Sequence, residues 1–314
     1  MRVPTTTYTD AFTNNLNTLR ARQSALQNQA TTGLRVTAPS DDPAAMQSAL
    51  NLVANKSSAQ QYTANVTALQ DRSTQIFNVL QSLQSLARQA SVDATTAGNG
   101  TISLENKSGL VADLNGLINN ALDLANTKDA VTGAGIFGGT SGAAKPFTAT
   151  TDAAGHVTAV TYNGNSSVNA AEISPGGSVA VDVPGANSGA SGAHGLFTDA
   201  RSGADFFGNL IRLRDNIAAG NTSAINSTDM PAMQKDSDNL IYHVGAVGAA
   251  QTRLDLTATT LQNQLSALDK NISNATSADL VQTIVQLNQA QNSYQAALQS
   301  GSKIMQLSIL NYIQ

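Results

Sequence analysis

The residues equipped for chemistry are few, and their spacing gives them little to do together. The chain has three histidines and no cysteine. His156 falls in a stretch that reads as strand, His194 in a Gly-rich loop and His243 in a helix. No histidine shares a helix with a second histidine or carboxylate at metal-ligand spacing. Without cysteine there is no disulfide, thiolate nucleophile or Cys-ligated metal. The adjacent pair Asp41-Asp42 invites acid/base or metal chemistry, yet no third ligand or base lies nearby. Asp42 followed by Pro43 reads instead as a helix start, with the carboxylate as N-cap and proline at the first helical position. Gly133-Ala134-Gly135 superficially matches a dinucleotide loop, but no strand precedes it and no helix follows. No G-x-S-x-G, P-loop or H-E-x-x-H pattern occurs. The expectation is a structural or assembly protein with no catalytic residue, no cofactor and no metal.

Composition agrees. Charged residues make up 12% of 314 and aromatics 4%, with no tryptophan; an average soluble protein has about 25% charged residues. The net charge of −4 speaks against a nucleic-acid binder, which shows a basic patch. No run approaches the roughly 20 apolar residues of a membrane span. The first residues lack the apolar core of a secretory signal, so the expectation is a cytoplasmic protein or one exported without a cleaved signal.

What remains is pattern. Stepping by four and three through the last stretch gives Leu280, Ile284, Leu287, Gln291, Tyr294, Leu298, Gly301, Met305, Ser308 and Tyr312, the seam of a helix that packs on another helix. At 1.5 Å per residue that helix is roughly 50 Å long. Lys303 is the only charged side chain after Asp279, whereas a solvated helix face normally carries charge. These faces read as surfaces meant to touch protein. The N-terminus has the same texture, with Phe12, Leu16, Leu19, Gln23, Leu26, Ala30 and Gly33 in the same rhythm and Gly33 as a helix stop.

Between the ends the helices continue. One runs from Pro43 to about Ala97, with a seam from Tyr62 through Val66, Ile76 and Leu83 to Ala94. Another carries Leu110, Leu114, Leu117, Ala121 and Leu124 on one face. From Val131 to about Arg201 the texture turns to Gly, Val, Thr and Pro. Val157–Tyr162, an Asn163-Gly164 turn and Val179–Val183 read there as short strands and hairpins. Helices resume near Asp205, and Ser277 or Thr276 is a candidate cap for the last one. The fold class expected is mainly α, with long antiparallel coiled-coil-like helices from both termini and a small β-rich domain inserted in the middle. Three domains are expected: 1–42 with 273–314, a terminal helical domain; 43–132 with 203–272, a helical bundle; and 133–202, a β-rich variable domain.

Several of these stretches resemble the flagellin superfamily, in its hook–filament junction branch. They are Met1-Arg2-Val3, Thr32 to Pro43, Ile136-Phe137-Gly138-Gly139-Thr140, Val247 to Leu254, Ser293 to Leu298, and Lys303 to Tyr312. The resemblance implies an extracellular subunit of the bacterial flagellum, exported without signal cleavage, with terminal segments that are disordered in the monomer and form an inner tube on assembly. It implies as partners other copies of the chain in a ring or tube, a neighbouring hook-associated protein on the hook side, flagellin on the filament side and an export chaperone at the C-terminal region. Phe12, Leu16, Leu19, Leu26, Leu280, Ile284, Leu287, Tyr294, Leu298, Met305 and Tyr312 are then the assembly seam, with Asp42 and Pro43 capping the helix between domains. Two alternatives remain: flagellin itself, and an enzyme carried in the β insert, about seventy Gly-rich residues without a clustered polar triad. Gly301 stands in the seam where alanine is expected; it costs up to about 1 kcal/mol of helix stability.

Overall fold

The computed structural model describes residues 5–100 and 103–313, with side chains from 10 to 303 within those bounds. Helix α1 spans Thr5–Thr32 and stops at Gly33, whose φ of 71° only glycine adopts freely. Helix α2 spans Pro43–Gly98 and α3 Leu104–Ala125. Seven short strands follow: β1 Phe147–Thr151, β2 Val157–Tyr162, β3 Ala171–Ser174, β4 Gly177–Val179, β5 Ala186–Asn187, β6 Thr198–Asp199 and β7 Ala204–Asp205. Then come α4 Phe206–Ala219, the single turn α5 Thr222–Ala224, a π-helical turn at Ile225–Asp229, α6 Met230–Thr276 and α7 Leu280–Ile313. The chain is therefore mainly α, with long helices from both ends and a small β-rich region in the middle.

The strands form three small sheets. β1 and β2 are an antiparallel pair, as are β3 and β4; β6 lies between β5, parallel to it, and β7, antiparallel. The β1–β2 turn is at Asp152–Gly155, where the Asp152 carboxylate accepts the N–H groups of Ala154 and His156. The Asn163-Gly164 pair, expected as a hairpin turn, instead leads out of β2. The Tyr162 hydroxyl engages the Phe137 and Asn165 carbonyls there, and a Cβ at residue 164 would collide with the Tyr162 ring. The alternation at Val179–Val183 marks burial more than pairing: β4 ends at Val179, while Val181 and Val183 are buried outside any strand.

The chain divides into two compact units, Met1–Ala59 with Asn263–Gln314, and Gln60–Gln262. In the second unit, the seam of α2 from Ile76 to Ala97, the inner faces of α3, α4 and α6, and the residues entering and leaving the strands build one core. Five of the seven phenylalanines gather there. The Phe197 ring lies 4.9 Å from Phe147, 5.1 Å from Phe207, 5.7 Å from Phe137 and 6.0 Å from Phe206. A chain this poor in aromatics has concentrated them where β region and helices meet, and the offset and edge-on geometries add to area burial.

The first unit is built differently. α1 and α7 run antiparallel: the Gly33 carbonyl accepts the Ala278 N–H at one end, and the Phe12 ring lies against Gly301 at the other. The unit also contains the start of α2 and the end of α6, joined by the ion pair Lys56–Asp269.

Candidate functional site

The α1 seam is visible residue by residue. Phe12, Leu16, Leu19, Gln23 and Ala30 are half-buried and Leu26 is buried, while most positions between them are exposed. On α7 the covered line is Thr283, Leu287, Ala290, Tyr294, Ala297 and Gly301. It alternates by four and three, as a two-helix seam must, but most of its members are small. Leu287 and Tyr294 lie on it. Leu280, Ile284 and Leu298 lie beside it, 45–51% exposed, together with Val281 at 76% and Val285 at 51%. Met305 and Tyr312 carry side chains outside the described residues, and Met1-Arg2-Val3 lies outside them altogether.

The physical reason for the offset is at Gly301. A Cβ there would collide with the Phe12 ring, so the aromatic on α1 is accommodated by the absence of a side chain on α7. The same large-against-small logic places Ala290 and Ala297 inward and leaves the bulkier aliphatics outside. α7 therefore has two adjacent stripes: one narrow, small and covered by α1, the other broad, aliphatic and uncovered.

The far end of this pair is a junction of two loops. The Arg35 and Val36 N–H groups donate to the Thr276 carbonyl, Leu34 bridges Ser277, and the Arg35 guanidinium donates to both the Ala275 carbonyl and the Asp42 carboxylate, each at 3.1 Å. Asp42 accepts the Ala45 N–H at 3.0 Å, the N-cap bond of α2, with Pro43 at the first helical position. Asp41 accepts from the Thr37 N–H, the Thr37 hydroxyl and the Ala38 N–H, tying off the loop before it. Both carboxyls are held below their ordinary range, Asp41 chiefly by the Thr37 N–H and Asp42 by the Ala45 N–H and then Arg35. Each acid's acceptor positions are thus spent on the fold. Helix α7 is capped by Asp279, which accepts the Gln282 N–H, rather than by Ser277 or Thr276; the Thr276 hydroxyl donates back to Ile272 and closes α6.

In the second unit three polar nodes carry the packing of the β region. Arg72 on α2 donates to Asp182 and Asp129, both at 2.9 Å, and to the Ile136 carbonyl at 3.3 Å. The Thr132 N–H and hydroxyl, the Val131 N–H and Arg72 hold Asp129 at about 2 against the effect of burial. On one face of α6, Asp236 accepts from the Asp205 N–H and the Asn209 amide, Asn239 donates to the Gly195 and Leu196 carbonyls, and His243 Nε2 lies 3.2 Å from the Gly195 oxygen. Burial pushes Asp236 up to about 6 and His243 down to about 4. Asp199, fully buried, is held at about 2: burial works against it, but Arg201 and the N–H groups of Gly195, Arg201 and Ser202 outweigh that. Sequence reading overlooks the Arg72 and α6 nodes because each is assembled from residues far apart in the chain, whereas the Asp199 node closes on Gly195, Arg201 and Ser202 within four residues, in a loop that no helical or strand periodicity marks. The available signal was scarcity: in so uncharged a chain, charged and amide residues on helix faces otherwise apolar mark buried bonds.

Among the described residues no group of three or more His, Asp or Glu side chains is placed to hold a metal, and no helix is long and apolar enough to cross a membrane. His156 lies in the turn just before β2, against Asp152, and His194 lies against Asp199 and the Tyr242 ring, whose other ring neighbour is His243.

Comparison with known proteins points one way. Residues 3–141 match the family model of the bacterial flagellin N-terminal helical region. Flagellar hook-associated protein 3 of Salmonella typhimurium is 31% identical over 147 residues, 47% of this chain and 46% of that protein. The Escherichia coli protein of the same name is 34% identical over 119 residues, 38% of this chain and 37% of its own. The chain thus spans about half the length, or less, of the curated relatives it matches. In fold, a flagellar hook-associated protein from Vibrio parahaemolyticus superposes with a TM-score of 0.64 at 20% identity, covering 76% of this chain and all of that one. Flagellar hook-associated protein 3 from Legionella pneumophila superposes at 0.59 and 13% identity, covering 71% and 97%.

Proposed function

We propose that this chain, which carries the flagellin N-terminal helical region and resembles flagellar hook-associated protein 3, is a structural subunit of the bacterial flagellum that joins hook to filament. The observation that supports this most is the double stripe of α7. One stripe is closed by α1 and the other lies open, aliphatic and almost uncharged. A narrow seam buries too little surface to offset the conformational entropy of ordering two long helices. Neighbouring subunits that cover Leu280, Val281, Ile284, Val285 and Leu298 would supply the missing burial, so α1 and α7 become finished elements in the assembly. On this reading 1–42 with 273–314 form the inner tube, 43–132 with 203–272 the surrounding bundle and 133–202 the outer, variable part. The partners are further copies of the chain, a hook-associated protein on the hook side, flagellin on the filament side and an export chaperone on the C-terminal region. The subunit is extracellular, secreted without a cleaved signal, and does no catalysis.

Labelling intact flagella with an antibody to residues 133–202 tests this. A thin band at the filament base is expected; label along the whole filament would make the chain a flagellin. Sedimentation of the purified protein after seeding separates the same two readings, since a junction subunit forms no long filaments alone. Limited proteolysis of the monomer tests the ordering step. Residues 1–40 and 275–314 should be cut first, and uniform resistance at both ends would sink the idea that assembly completes them.

A further inference from the structure

The β1–β2 pair is a two-stranded sheet with an edge that opens onto a cleft. Its register pairs Phe147 with Tyr162, Thr148 with Thr161 and Ala149 with Val160. The Asn163 N–H donates to the Pro146 carbonyl, one step beyond the Phe147–Tyr162 pair. In an antiparallel ladder that makes Phe147–Tyr162 a non-hydrogen-bonded pair, so the backbone groups of both residues point away from each other's strand. Phe147 confirms the assignment, because both its N–H and its carbonyl are taken from outside by the Asn126 side chain. By the same alternation Val160 and Tyr162 turn their N–H and C=O groups outward from β2. One end of this edge is closed, where Arg214 donates to the Val157 carbonyl at 2.6 Å. For Val160 and Tyr162 no backbone hydrogen bond on the outer side is made with another described residue.

These two residues line a cleft of about 870 Å³ whose opposite wall is α4. That volume is in the range of pockets that hold sizeable ligands. The wall has a charge pattern. Arg212 is engaged by the fully buried Asp229, and Asp215 by Arg214, the latter 7% exposed. Asp205, exposed at the start of α4 and holding only the Gly208 N–H as its cap, is left as the uncompensated charge. The cleft therefore offers four strand-spaced backbone groups on one side and a net negative wall on the other.

We infer that this cleft binds an extended peptide segment of a partner protein by strand addition to the outer edge of β2, with a basic side chain of that segment directed to the Asp205 wall. Main-chain hydrogen bonds supply the attachment and the charge selects among segments, as in other cases of strand addition. The inference is independent of the role assigned to α1 and α7, since every residue it uses lies between 126 and 229.

The test uses the full chain and fluorescent nine-residue peptides of alternating threonine and valine: one with a central lysine, one with a central glutamate, and a lysine version N-methylated along one edge. The lysine peptide is expected to bind and to slow amide exchange in residues 158–163. The glutamate peptide should bind about threefold more weakly, the size of one exposed charge interaction. N-methylation should cost about tenfold or more, one lost backbone hydrogen bond at the least. Val160→Pro removes an outward N–H without touching the β1 ladder and should have the same effect, while Asp205→Asn keeps the helix cap and should erase the preference for lysine. No binding by the lysine peptide, equal binding of the lysine and glutamate peptides, or indifference to N-methylation each overturns the proposal. The N-methylated peptide probes the reciprocal bonds, from peptide N–H groups to the outward carbonyls of the same edge, on unmodified protein, so poor folding of Val160→Pro does not blur the result.

Discussion

The two compact units bury their residues by different rules. Every large side chain with under 2% exposure among the described residues, from Val66 to Leu254, lies in the unit formed by Gln60–Gln262. The unit containing both ends of the chain has Leu26, Val36 and Leu268 as its buried large aliphatics, and beyond them a line of alanine, threonine and glycine facing half-buried leucines. One unit is a core in the ordinary sense, closed on itself. The other joins the start of α2 and the end of α6 to a pair of helices, α1 and α7, with a seam on one side of α7 and an uncovered aliphatic stripe beside it. The difference teaches where stability is intrinsic and where it is left for contacts between molecules.

The comparison is sharpest at Phe197, fully buried among four other phenylalanine rings. Phe197→Ala should cost about 3–5 kcal/mol by lost burial and a cavity that rigid neighbours cannot refill. Urea unfolding followed by circular dichroism would show it as a lowered midpoint. Leu16→Ala, in the half-buried seam, should move the same midpoint little and show instead as weakened assembly. Equal losses from the two would erase the distinction between the units.

Arg72 sits next in size. It serves Asp129, Asp182 and a carbonyl at once, at sites 16–19% exposed. Arg72→Ala leaves two carboxylates without their partner and should cost about 2–3 kcal/mol, below the full value for a deeply buried pair because water reaches both acids. Arg72→Lys should recover less than half of this, since an ammonium cannot present the planar fork that spans both acids.

Gly301 turns the comparison into a question of sign. By helix propensity alone, Gly301→Ala should stabilise α7 by up to about 1 kcal/mol. With Phe12 against it, the added methyl forces the ring to move, and overpacking of this kind costs about 1–3 kcal/mol. A net loss is expected, read as faster amide exchange confined to α1 and α7 with the unfolding midpoint of the central unit unchanged. A gain in α7 helicity would mean that the two helices are not paired in the isolated chain.

These contrasts explain what the sequence could and could not disclose. The heptad rhythms of α1 and α2 were legible because burial followed the apolar residues directly: Val66, Ile76, Leu80 and Leu83 are all inside. On α7 the same rhythm finds Leu287, Tyr294 and Gly301, but takes Leu280, Ile284 and Leu298 where Thr283, Ala290 and Ala297 are the covered residues. Steric complementarity belongs to two helices at once, and a single-helix pattern does not contain it. The boundaries at Gly33 and Pro43 were legible because left-handed backbone and capping are local. Arg72, Asp236 and His243 were not, since their partners lie 27 to 110 residues away. The strands were visible as composition, but their pairing was not: β5, β6 and β7 are two residues each, too short for alternation to mean anything.

The smallest expected effect is a near-cancellation on α6, where two buried titrating groups hold the return from the β region. Asp236 is raised from 3.8 to about 6 by burial, then lowered in part by Asn209 and the Asp205 N–H, with Asp205 and Arg212 as its charged neighbours. Its raised value contributes stability that is fully present below 3.8 and lost as pH rises through 6, about 3 kcal/mol over that interval. His243 is lowered from 6.5 to about 4, mainly by burial, with His194 and Asp199 as its charged neighbours. Its contribution has the opposite sense: present above 6.5, and lost as pH falls toward 4, again about 3 kcal/mol. Between pH 4 and 6.5 the two therefore offset each other, and unfolding free energy should change by no more than about 1 kcal/mol from this pair. Asp129 and Asp199, held at about 2, lose their contributions only below 3.8 and so stay outside the window. Asp236→Asn should expose the histidine, making the protein progressively less stable as pH falls from 6.5 to 4. His243→Gln should expose the acid and give the reverse slope. The readout is the slope of the denaturation midpoint against pH rather than its absolute value, so a uniform loss from either substitution does not disturb it. Parallel slopes in the two variants would mean that the α6 face is wet, and that the central unit is less closed than the comparison with the terminal helices requires.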